Sequence, residues 1–181
     1  MWIKILLAVI LILVIFAIFV ATRPSDFKVS RSKLISAPPE VVFAQVNDLR
    51  AWEAWSPWAK LDPNAKMTYE GPQQGVGAVA KWDGNNEVGA GTQTLTESRP
   101  NELVHFHMEF VRPFKGTSEV EFVFLPQGNQ TEVTWNMASK SGFLAKAVGI
   151  FMNCEKMCGD QFNNGLTGLK QISEAKSQPS N

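Results

Sequence analysis

The chain has 181 residues, with 17 acidic and 17 basic side chains, two histidines and two cysteines, and 45% of it is apolar. One domain of ordinary size fits that length and two fit poorly; with Lys4 set aside the rest is close to neutral, so the basic field that draws in nucleic acid is missing. The apolar residues are unevenly placed, because 20 of the first 22 are hydrophobic and the remainder is only roughly 38% apolar.

Residues 5–21 read ILLAVILILVIFAIFVA, and with its flanks this run covers roughly 27 Å as a helix, enough to cross hydrocarbon. A cleavable signal peptide has an apolar stretch of only about 7–15 residues followed by small residues at the cleavage positions. Here the run is longer, and Phe19 and Val20 stand where a small residue is wanted before Ala21. A buried core helix would carry a polar stripe, which is absent. The reading is an uncleaved single-pass anchor over residues 4–22, with a removed signal peptide as the alternative. Lys4 precedes the span, whereas Arg23, Lys28, Arg31 and Lys33 follow it, opposed by Asp26. That excess favours a cytoplasmic domain, on the inner membrane if the cell is bacterial. Residues 23–26, with Arg23-Pro24, form a short linker that holds the domain near the bilayer.

Residues 27–35 alternate as a first strand. Ser36-Ala37-Pro38-Pro39-Glu40 then reads as a helix start, with Val42, Phe43, Val46 and Leu49 at helical spacing and an end near Asp48. Trp52, Trp55 and Trp58 follow in WEAWSPW, either a corner packed on the core or the mouth of a pocket. After Pro63, β-rich segments are separated by turn signals at Glu70-Gly71-Pro72, Asp83-Gly84, Arg99-Pro100-Asn101, Arg112-Pro113 and Gln127-Gly128-Asn129, a meander of antiparallel strands. Val104, Phe106, Met108 and Phe110 share one face, against His105, His107 and Glu109; Val120, Phe122 and Phe124, and Val133, Trp135 and Met137, repeat the pattern.

A sheet with one apolar face needs a cover, and residues 143–175 supply one long helix with Leu144, Val148, Phe151, Cys154, Cys158, Phe162, Gly165, Leu169 and Ile172 in a stripe. Gly149 or Gly159 is the expected place for a break or bend, and the helix glycines are expected to serve close approach to the sheet. Cys154 and Cys158 lie four apart, where a normal disulfide is hard to close and no second pair completes a zinc site, so they read as small buried apolar groups. Residues 176–181 are expected to be a disordered tail.

The order of these elements, with Ala37-Pro38-Pro39-Glu40-Val41-Val42-Phe43, Trp52 to Trp58, Gly75-Val76-Gly77, Lys81-Trp82-Asp83-Gly84-Asn85, Glu87-Val88-Gly89-Ala90-Gly91, Thr131-Glu132-Val133-Thr134-Trp135 and Phe162 through Gly165-Leu166 to Leu169-Lys170, resembles the START-like superfamily, also called SRPBCC, and within it the polyketide cyclase/dehydrase and lipid-transport branch. The likeness covers residues 27–175. It implies an α+β helix-grip fold, a curved antiparallel sheet of about seven strands around a long C-terminal helix, with a cavity for a hydrophobic ligand between them. The expected lining is Trp82, Phe106, Met108, Phe110, Phe122, Trp135, Met137, Phe151, Met152, Cys158 and Phe162, with Trp52, Trp55 and Trp58 at the mouth, although the same residues would also fill a closed core.

No metal-spacing set, phosphate loop or Gly-x-Ser-x-Gly motif is present, so neither metal nor cofactor is expected. His105 and His107 read as outward-facing structural groups. Three functions remain: a membrane-anchored, non-enzymatic binder of a lipid-like or polycyclic molecule; a cyclase or dehydratase using Tyr69 or Arg112; and a protein-binding module with an exposed apolar patch at Trp52 and Trp55.

Overall fold

A computed structural model describes residues 2–178. Helix α1 (Trp2–Thr22) contains an 18-residue stretch with a mean hydropathy of 3.4 and is long and apolar enough to cross a membrane. Strand β1 (Asp26–Ile35) leads into α2 (Pro39–Asn47), which starts where expected, with proline in the first turn and Glu40 near its positive end. A 3-10 turn (Leu49–Ala51) and two short helices, α3 (Trp52–Trp55) and α4 (Pro57–Leu61), carry the tryptophan segment. Six strands follow, β2 (Lys66–Glu70), β3 (Val79–Asp83), β4 (Ala90–Arg99), β5 (Leu103–Arg112), β6 (Gly116–Gln127) and β7 (Gln130–Lys140), and then α5 (Phe143–Phe151) and α6 (Cys154–Ser177).

The seven strands form one antiparallel sheet in the order β1-β7-β6-β5-β4-β3-β2. The alternation in the sequence is obeyed. Phe106, Phe122 and Trp135 are buried, while His105 bonds to Thr96 and His107 to Glu119 at 2.7 Å on the outer face. The inner face is covered by α6, which runs along β1. Two of its glycines let it come close: a Cβ at Gly165 would lie 2.7 Å from the Trp135 ring, and one at Gly168 would lie 2.7 Å from the Trp55 carbonyl. Gly149 has open space around it and serves no such approach.

The long helix expected over residues 143–175 is two helices. The break falls at Met152, which is extended, and at Asn153, whose side chain accepts from the Lys156 N–H at 3.0 Å and so starts α6. Neither Gly149 nor Gly159 marks it. An Asn that caps a new helix wins over an apolar stripe that would have continued. α6 itself runs through Lys176 and Ser177, so these two residues of the expected tail are helical; residues 179–181 lie outside the described range.

Glu174 ties the end of α6 to the sheet. Its carboxylate accepts from Lys170 at 2.8 Å and from the Ser36 N–H at 2.7 Å, and these two bonds, in that order, hold its pKa below the usual carboxylate value. A depressed pKa contributes stability that is complete above the unfolded value and is lost as pH falls through the folded one. Glu174→Gln should therefore lower the thermal midpoint at neutral pH and change it little in acid, once the carboxylate of the folded protein is protonated, as read from unfolding curves across pH.

Candidate ligand cavity

Between the inner sheet face, α6 and the tryptophan segment lies a cavity of 620 Å³, within the range of about 300–1,000 Å³ for small-molecule sites. Its walls come from every layer: Trp52 and Ser56 around α3, Trp58 and Ala59 on α4, Met67 and Tyr69 on β2, Ala80 and Trp82 on β3, Gln93 on β4, Met108 and Phe110 on β5, Trp135 and Met137 on β7, and Cys158 and Phe162 on α6.

The tryptophan segment is held by its own indoles. The Trp52 Nε1–H donates to the Val46 carbonyl at 3.0 Å and the Trp55 Nε1–H to the Gln45 carbonyl at 3.1 Å, so both rings hang from the end of α2 and turn inward. Trp52 meets Phe106, Phe122 and Trp135 edge-on at centroid distances of 5.4, 5.6 and 5.9 Å. This decides which expected residues reach the cavity. Trp82, Met108, Phe110, Trp135, Met137, Cys158 and Phe162 line it, as do Trp52 and Trp58.

Five others do not. Phe106 and Phe122 are fully buried behind the plug made by Trp52 and Trp55, and belong to the core. Trp55 is itself fully buried and is no part of a mouth. Phe151 and Met152 sit at the break between α5 and α6, which carries them off the sheet; Phe151 is 78% exposed and meets Phe16 of α1 at a centroid distance of 6.3 Å.

The polar side chains of the lining are few and readable. Tyr69 donates to the Glu53 carboxylate at 2.6 Å, and the Arg50 guanidinium stacks on its ring at 4.6 Å. Burial, and then the bond to Glu53, push the phenol well above its ordinary range, so it stays protonated and is a poor acid or base near neutrality. Arg112, the other expected polar candidate, lies outside the lining, paired with Asp83 and donating to the Gly84 carbonyl at 3.0 Å. Gln93 lies outside the expected lining, although Gly91, Gln93 and Leu95 alternate onto the inner face and a glutamine there is a visible exception. The same alternation in KMTYE points Met67 and Tyr69 inward. No cluster of three His, Cys, Asp or Glu side chains that could hold a metal occurs among the described residues.

Both cysteines are free thiols. Burial pushes the Cys158 thiol up to about 11, with the nearby Arg31 opposing it. Iodoacetamide should therefore alkylate Cys158 slowly at neutral pH and faster as pH approaches 11, and a molecule filling the cavity should slow it further, as measured by mass spectrometry of the peptide.

The fold and this site define a helix-grip protein with an internal, mainly apolar pocket between sheet and C-terminal helix. The chain belongs to the polyketide cyclase / dehydrase and lipid transport family, whose profile matches residues 26–174. Solved structures with the same fold include TTHA0849 from Thermus thermophilus (20% identity over 84% of this chain and 100% of that one, TM-score 0.61). The Aha1 dimer from Colwellia psychrerythraea is similar at 17% identity over 84% and 99% of the two chains, with a TM-score of 0.59. The protein jhp0584 from Helicobacter pylori is similar at 15% identity over 85% and 89%, with a TM-score of 0.61. At these identities the likeness speaks for the fold alone. No curated protein matches the sequence.

Proposed function

We propose that this protein is a membrane-anchored, non-enzymatic binder of a hydrophobic molecule, lipid-like or polycyclic. The observation that carries the reading is the 620 Å³ cavity walled by tryptophan, phenylalanine and methionine. Such walls recognise apolar surface and adapt their shape to it.

The anchor half of the reading draws on α1 and on what surrounds its exit. Cross-strand partners Asp26 and Lys140, Phe110 and Gly116, and Ala90 and Arg112 put those ends of β1, β7, β5, β6 and β4 together at one end of the sheet, where α1 leads in. Val111, Phe114, Phe143, Leu144 and Phe151 are all exposed at or next to that end. α5 has no buried residue and packs on α1. An exposed apolar collar around the exit of an apolar helix suits a domain seated on the bilayer from which that helix emerges. It also places the apolar patch away from Trp52 and Trp55, whose inward rings leave a partner-binding module without the surface it was expected to use.

A cyclase or dehydratase would need a group able to take and return a proton in the cavity. Tyr69 is the side chain the sequence offers for that role, and its raised pKa and its bond to Glu53 work against it; Glu53 and Asp62, which also line the cavity, already accept from the Tyr69 hydroxyl and from the Asn64 and Asn85 N–H groups. Native mass spectrometry of the full chain, extracted in mild detergent, should find an apolar molecule bound. A bare chain whose tryptophan fluorescence is also unmoved by added apolar molecules would end the proposal.

A further inference from the structure

The cavity wall contains a polar side chain whose amide nitrogen has no partner among the described residues. Gln93 is 7% exposed, its amide makes no side-chain hydrogen bond among the described residues, and its Nε2 is enclosed without a partner. A primary amide buried in an apolar wall forfeits its water, and that cost is recovered only when something else bonds to it.

The sheet register shows where that something would sit. Tyr69 is opposite Ala80, Ala80 is opposite Gln93, and Gln93 is opposite Met108, so the four form one row across the inner face. With strands about 4.8 Å apart, Tyr69 and Gln93 stand about 10 Å from each other with only the Ala80 methyl between them. This is a notch with an apolar floor, a phenol on one side and an amide on the other. The Tyr69 hydroxyl donates a hydrogen bond to Glu53 and keeps a lone pair free to accept; a primary amide such as that of Gln93 carries both a donor and an acceptor.

Charge narrows the occupant further. The titratable side chains of the lining are Glu53, Asp62, Tyr69 and Cys158, with no lysine or arginine among them. Two arginines outside the lining are engaged elsewhere: Arg50 stacks on Tyr69, and Arg31 pairs with Glu155 at 2.9 Å. An anionic head entering the cavity would meet two carboxylates and no counter-ion, whereas an uncharged one meets no like charge and gives up only water that the Gln93 amide can replace.

We propose that the cavity selects an apolar molecule bearing one uncharged hydrogen-bonding head, a hydroxyl or a carbonyl, seated over Ala80 against the Gln93 amide, and that it rejects carboxylates and phosphates. This rests on the hydrophobic-ligand reading above and names the ligand class within it.

Three probes of one chain length test it, namely decane, 1-decanol and decanoate. Each is titrated at mildly alkaline pH into the full chain held in phosphatidylcholine nanodiscs and followed by tryptophan fluorescence. The alcohol should bind at least about tenfold tighter than the carboxylate. Gln93→Leu should weaken the alcohol about threefold to tenfold and leave decane unchanged, since it removes a hydrogen bond and keeps the apolar volume. Decanoate binding as well as decanol would overturn the proposal, and so would Gln93→Leu weakening decane and decanol alike, which would mean the residue only supports the wall. If none of the three binds, the hydrophobic-ligand reading falls, and this one with it.

Discussion

Trp135→Ala should lower the unfolding free energy by about 3–5 kcal/mol, the largest loss expected from any single side chain of the domain. Trp135 is 2% exposed and lies flat on Phe162 of α6, with ring centroids 4.1 Å apart and planes within 10°. The edges of Trp52, Trp55 and Trp58 close on it at 5.9, 5.8 and 5.7 Å. One indole therefore joins the sheet, the long helix and the tryptophan segment, and alanine would leave a void opening into the cavity it now bounds. Trp135→Phe is the control. It keeps a ring against Phe162 and removes an indole N–H that has no partner among the described residues, so it should cost less than about 1.5 kcal/mol. Denaturant unfolding of the full chain in mild detergent measures both. Equal losses for the two variants would mean that the aromatic cluster is not what holds helix to sheet.

The same cluster shows what a sequence can and cannot reveal. The period-two pattern of LVHFHMEFV makes the inner face of β5 readable residue by residue, and the structure follows it from Val104 to Phe110. Depth along that face is not readable in the same way. Phe106 and Phe110 sit on one stripe four residues apart, yet Phe106 is sealed in the core and Phe110 lines the cavity. The difference is made by Trp52, more than 50 residues earlier in the chain, and by the bond that hangs its ring from Val46. No local pattern encodes that contact. The break at Met152 and Asn153 was hidden for a related reason, because the apolar stripe continues through it and glycine drew attention to the wrong positions. Gln93 stood in plain view, and only the assignment of the strand face gave it a meaning. Tyr69, Ala80 and Gln93 became neighbours only through the register of three strands.

Two arginines placed in α1 should detach the protein from the membrane and leave the domain folded. Leu11 and Val14 lie near the middle of the 21-residue helix, are exposed, and by helical periodicity face away from Phe16 and Val20, where α1 meets the rest of the chain. Each arginine at the centre of a span costs about 2.5–3.5 kcal/mol on an insertion scale, so Leu11→Arg with Val14→Arg removes about 5–7 kcal/mol from insertion, roughly what the remaining apolar side chains of α1 supply. The wild-type chain should stay with the membrane pellet through an alkaline carbonate wash, and the double variant should move to the supernatant with its unfolding midpoint unchanged. Before the wash the variant should still associate loosely, because the apolar side chains of α5 and the Phe114 hairpin remain to touch lipid. A wild-type chain released by carbonate, or one whose N-terminus has been removed on maturation, would show that α1 does not tether the domain. A double variant that resists carbonate would move the anchor from α1 to the collar, and with it the explanation of why a pocket protein exposes phenylalanine at one end of its sheet.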